Sequence, residues 1–167
     1  MKKIMILMLT VSTLAILTSC GNYKDIQEEL LSYYNEEWIA VSEVNKKGTH
    51  KLLDVISERG EEDEEAIIVR EEEIIPAEKE AMDRLKSLQL EYKQVKKLNE
   101  LQIKIIELEI DSDIGSNDYI RGDIKNSELQ EKWNELRDKR DEFDDYLEKL
   151  MKKYDLEYEN GLLTTIK

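Results

Sequence analysis

This chain has one cysteine, one histidine, one proline, one phenylalanine and six glycines in 167 residues. Each scarcity removes a class of protein. A lone cysteine has no internal disulfide partner. With only one histidine beside it, neither zinc binding nor an activated thiolate has the ligands or neighbours it requires. General-base chemistry at His50 would need a nucleophile, an orienting carboxylate and a pocket, none of which the sequence indicates, so no catalytic residue is assigned and His50 takes a local role. Positive charge is short as well, with 25 basic against 39 acidic residues and a formal charge of −14. Nucleic acid is therefore a poor partner, since phosphate binding needs a basic face, and attraction to anionic lipid headgroups is equally poor. Low aromatic content would permit disorder, but apolar residues recur at helical spacing through most of the chain, which argues for folded helices.

The only long apolar run is at the start. Met1-Lys2-Lys3 gives a positive n-region, and Ile4 to Leu17 has the length of a signal-peptide core rather than the roughly 20 residues that span a bilayer. Leu17-Thr18-Ser19-Cys20 resembles the lipobox of bacterial lipoproteins, with an aliphatic residue three positions before a cysteine and small residues between. The resemblance implies a signal peptide over 1–19, cleavage after Ser19, and diacylglycerol on the Cys20 thiol, with residues 20–25 as a lipidated tether. Two acyl chains suffice for stable attachment, at about 0.8 kcal/mol per buried methylene. The implied place is the extracytoplasmic face of the cell membrane. Loss of Lys2 and Lys3 with the leader takes the formal charge from −14 to −16.

The remainder is expected to be one all-α domain over 26–160. Ile26, Leu30, Tyr34, Trp38, Val41, Asn45, Gly48, Leu52 and Val55 follow steps of three and four and mark one helix face. Gly48 on that stripe is a bend or a close contact with a neighbour. Ser57-Glu58-Arg59-Gly60 and the acidic run Glu61 to Glu65 read as a helix end followed by the first turn of another. The second helix then carries Ile67, Ile74, Ala81, Leu85, Tyr92, Leu98, Leu101 and Leu108, with a kink at Pro76. Asp111-Ser112-Asp113-Ile114-Gly115-Ser116-Asn117-Asp118 reads as a loop. Ser127 and Gln130 fit a capping box, and Leu129, Trp133, Leu136, Arg140, Phe143, Leu147, Leu150 and Tyr154 form the last stripe. Asn160-Gly161 punctuates the end and leaves 161–167 as a tail. Short connections between long amphipathic helices imply an elongated antiparallel three-helix bundle.

Lipobox, proline-interrupted middle helix and charged final helix together are similar to small helical lipoproteins of low-GC Gram-positive bacteria, including those described as cell-wall-binding. That likeness implies no functional residue beyond Cys20. Asp111, Asp113, Asp118 and Asp123 offer oxygen ligands, but Ser116 and Gly122 stand where a calcium loop needs glycine and glutamate, so no metal and no cofactor is assigned. Trp38 and Trp133 could stack on sugar rings, yet both lie on core stripes and burial is expected. Lys93, Lys96 and Lys97 make a small basic patch, most simply paired with neighbouring glutamates. The resulting reading is a non-enzymatic, membrane-anchored module that binds a protein or cell-wall partner. The alternatives are an immunity protein that neutralises a basic toxin and a metal- or small-ligand-binding lipoprotein.

Overall fold

Four helices and a C-terminal β-hairpin make up the computed structural model, which describes residues 22–60 and 63–166. The leader 1–19, Cys20, Glu61, Glu62 and the Asn45 side chain lie outside the described residues. The class is all-α with a small two-stranded sheet, and the three helices expected from the sequence are four.

Helix α1 covers 22–59, so that residues 22–25, expected as tether, are helical. Ile26, Leu30, Tyr34, Val41 and Val55 are buried on its predicted stripe. Within it, Tyr33–Trp38 forms a π turn closed by the Ile39 N–H bonding to the Tyr34 carbonyl. The extra residue per turn rotates the apolar face, which lets Tyr33 enter the core beside Tyr34. Helix α2 covers 64–87. It opens with the Asp63 carboxylate accepting from the Glu65 N–H at 2.8 Å and contains a second π turn at Arg70–Ile74. That turn falls just before Pro76, whose missing N–H and ring do not fit an ordinary helical turn, and the helix continues to Ser87.

The second helix does not run on to Leu108. Leu88 and Tyr92 are extended, and a new helix α3 begins, Lys93–Arg121. The break is held from a distance. Glu29 of α1 accepts from the Glu91 and Tyr92 N–H groups at 2.5 and 3.0 Å, supplying an anionic cap where α3 leaves donors unpaired. Asn99 Nδ2 donates to the Leu85 carbonyl at 3.0 Å.

Residues 111–118, expected as a loop, are helical and belong to α3. Ser112, Gly115, Ser116 and Asn117 are buried there, because small side chains let a neighbour approach: a Cβ on Gly115 would sit 2.7 Å from Lys132 Cδ. Tertiary packing overrides the turn-forming tendency of these residues. The real turn follows Gly122, left-handed at φ 83°, where Asp123 N–H bonds to the Asp118 carbonyl at 2.8 Å.

Helix α4 is Asn126–Lys153. Its N-cap is Lys125, without a side-chain cap, so the expected Ser127–Gln130 box does not form. The supposed tail is the second strand of a hairpin, β1 Leu156–Glu159 paired antiparallel with β2 Leu162–Thr165. Asn160 and Gly161 both have positive φ at the turn, as a tight hairpin twist requires. Asn35 secures β2 by donating to the Leu163 carbonyl at 2.9 Å and accepting its N–H at 2.8 Å.

Successive helices alternate in direction. Gly48 of α1 meets Ile74 of α2, Arg70 of α2 meets Asn117 of α3, and Glu109 of α3 meets Arg140 of α4. The main core gathers Leu30, Tyr33, Leu85, Leu98, Ile106, Leu136 and Leu163. A separate small core joins Val55 to Ala66, Val69 and Ile74, with Leu52 against it. Among the described residues no helix is long and apolar enough to cross a membrane.

Candidate binding cleft

Beyond Trp38, α1 packs mainly on α2 and leaves α4. Nearer the start of α1, the hairpin fills the space between these two helices: Leu156 and Leu163 enter the main core, and Tyr158 leans on Tyr34 at 5.7 Å. Further along, no described residue fills it. A cleft of about 610 Å³ remains between α1 and α4, within the size range of small-molecule sites.

Its walls come from both cores, with Ile74 and Leu52 from the small one and Val41, Ile105, Leu136 and Phe143 from the main one. Trp38 lies at one end, stacked on Tyr34 with centroids 4.5 Å apart, and its indole N–H donates to Gln102 Oε1 at 3.1 Å. Trp133 is on the core stripe of α4 yet 41% exposed. Between Ile39 and Arg59, α1 makes no extensive contact with α4 that would cover it. The expectation that both tryptophans are buried is therefore corrected: Trp38 is half-buried, Trp133 is exposed, and both line the cleft.

Polar groups sit among these apolar walls. Glu78 is 4% exposed and Ser112 1%, and Glu78 Oε2 and Ser112 Oγ, both closed to solvent, have no hydrogen-bond partner among the described residues. Burial pushes the Glu78 carboxyl up to about 9, reinforced by the negative charges of Asp113 and Glu109 and opposed by Arg140. At neutral pH it is a protonated acid. Asp113 is pushed up to about 6 by burial, against the pull of Arg70, which lies 3.6 Å away. Arg140 binds Glu109 at 2.7 Å. His50 and Lys46 on α1 and Asp144 on α4 are exposed residues of the lining. These groups can stack, donate and accept hydrogen bonds, and balance a charge.

The structure thus brings together Trp38, Trp133, His50 and Asp113. Asp111, Asp118 and Asp123 are elsewhere, and among the described residues no group of three or more His, Cys, Asp or Glu could hold a metal ion. Of the acidic runs, Glu71 pairs with Arg121 at 2.7 Å and Glu73 with Lys51. In the basic patch, Lys97 sits over the Tyr146 ring, 4.7 Å from its centroid.

Glu78, Ser112 and Gln102 were missed as site residues, although two of them carried a signal. Glu78 stands between Ile74 and Ala81, and Gln102 between Leu98 and Ile105, each at the helical spacing of a core stripe. A polar residue in such a position is either paired or functional. Ser112 had no comparable mark. Compared with family models, with curated proteins and with solved structures, the chain matches none.

Proposed function

We propose that this chain is a lipoprotein anchored through Cys20 at the outer face of the cell membrane, and that its helical domain is a non-enzymatic binding module holding a small ligand in the cleft between α1 and α4. The anchor rests on the lipobox and the positively charged leader. The binding role rests on one observation: buried Glu78 and Ser112 line an opening of about 610 Å³ while Glu78 Oε2 and Ser112 Oγ lack partners. A buried polar atom left unpaired costs roughly 1–3 kcal/mol, which a ligand that pairs with it would recover. Apolar walls with a few convergent polar atoms are what small-ligand sites combine.

Native mass spectrometry of protein extracted gently from source membranes tests both halves. The expected species begins at Cys20, carries diacylglycerol, and retains one non-covalent ligand. Ser42→Trp, at a partly exposed position of the cleft wall, should lose the ligand while its circular dichroism stays helical. Cys20→Ala should leave the membrane fraction. An unmodified leader refutes the anchor, and a ligand-free protein or equal ligand occupancy in Ser42→Trp refutes the cleft.

A further inference from the structure

We infer that the ligand of this cleft is a primary ammonium compound with an apolar, preferably aromatic, body. This rests on the cleft being the ligand-holding surface and adds its chemical class. Glu78 and Ser112 line the cleft, and their unpartnered Oε2 and Oγ, closed to solvent as the cleft stands, can accept hydrogen bonds when the side chains turn towards a ligand. An ammonium group supplies three N–H donors and a positive charge, whereas a quaternary ammonium supplies the charge alone.

Charge favours a cation. With Glu78 itself neutral before the ligand enters, the lining carries the carboxylates Glu109 and Asp113 from α3 and Asp144 from α4, against Lys46 from α1 and Arg140 from α4. Arg140 is committed to Glu109 at 2.7 Å, and Arg70, behind Asp113, donates to Asn117 at 3.3 Å. An anion entering here would meet carboxylates and add to a formal charge of −14. The body of the ligand would lie against Trp38, Trp133 and Phe143, where apolar burial and attraction between a cation and an aromatic face both contribute.

Such binding moves a proton. Protonated Glu78 and an entering R–NH3+ give a carboxylate–ammonium pair, and the carboxyl proton goes to solvent. No bond to carbon changes. The upward displacement of Glu78 to about 9 makes this release nearly stoichiometric at pH 7.5.

The experiment uses 2-phenylethylamine, with 2-phenylethanol and 3-phenylpropanoate as neutral and anionic counterparts. The chain's two tryptophans both line the cleft, so intrinsic fluorescence reports its occupancy directly. The amine should saturate the signal at least tenfold more tightly than the alcohol, and the carboxylate should give none. Calorimetry at pH 7.5 in phosphate and in Tris should show about one proton released per amine bound. Glu78→Gln should abolish that release and weaken the amine at least tenfold. If that variant does not fold, the two-buffer calorimetry on the unaltered protein decides alone. Equal affinity for alcohol and amine, or amine binding without proton release, overturns the cationic ligand and leaves the cleft reading standing. No response to any of the three, together with a ligand-free protein from the membrane, overturns both.

Discussion

Replacing Glu78 by glutamine should make the protein more stable than the unaltered chain in mild alkali. The Glu78 carboxyl is held at about 9 in the folded state against 4.5 when exposed. The folded protein therefore keeps a proton that the unfolded chain has already lost. Stability from this group is complete below 4.5 and drains away as pH climbs towards 9. Each pH unit inside that window costs about 1.4 kcal/mol. From pH 6.5 to 8.5 the loss should be about 2–3 kcal/mol, or about 5–10 °C in Tm for a chain of this size. Glutamine has nearly the shape of the protonated acid and cannot ionise, so its stability should stay nearly level over this interval. Asp113 and Asp144 are common to both proteins and cancel in the difference. Urea unfolding monitored by circular dichroism, repeated at half-unit steps of pH, gives both curves. If they fall in parallel between pH 6.5 and 8.5, Glu78 is not a buried neutral acid, and the electrostatic reading of the cleft fails with it.

Three further substitutions probe how the helices are held. Gly48→Ala adds a methyl 2.8 Å from Ile74 Cγ1; overpacking of about 1–3 kcal/mol should exceed the helix-propensity gain of about 1 kcal/mol, so the urea midpoint should fall. Glu29→Ala strips the Glu91 and Tyr92 N–H groups of their acceptor and should cost about 1–2 kcal/mol in the same assay; an unchanged midpoint would mean that α3 starts without it. Asn35→Ala removes both bonds to the Leu163 backbone, and hydrogen exchange at the Leu163 amide should accelerate at least tenfold while the α3 amides stay protected.

The helical stripes were legible because burial repeats locally: Ile26, Leu30, Tyr34 and Val41 on α1, and Leu136, Phe143, Leu147 and Leu150 on α4, are buried where their spacing put them. What could not be read depends on partners far along the chain. The break at 88–92 contains neither glycine nor proline and is capped by Glu29, more than sixty residues earlier. The stretch from Asp111 to Asp118 has turn-like composition, yet α4 packs on it at Gly115 and Arg70 meets it at Asp113 and Asn117, contacts that its helical form makes. The hairpin, expected as a tail, is legible in the sequence. Asn160-Gly161 between Leu-Glu-Tyr-Glu and Leu-Leu-Thr-Thr is a strong short-range hairpin signal. The cleft was half legible: polar residues on apolar stripes marked Glu78 and Gln102, but the opening itself is a matter of where α1 leaves α4.

That divergence links the fold to the proposed anchor. α1 is described from residue 22, two positions after Cys20, and reaches Trp38 sixteen residues further on. At 1.5 Å per residue the near end of the cleft is about 24 Å along the helix. The end of α4 and the hairpin occupy this distance, from the Tyr23–Asp155 and Gln27–Tyr154 bonds to the contacts with Tyr34 and Asn35. In the anchored state with α1 upright, the hairpin would face the headgroups and the cleft would open into the aqueous layer above them. A ligand would then arrive from the envelope space rather than by lateral diffusion within the bilayer. Amines that partition strongly into vesicles should therefore be drawn away from the anchored protein, while a water-soluble arylalkylamine should bind the lipidated and the Cys20→Ala forms with equal affinity.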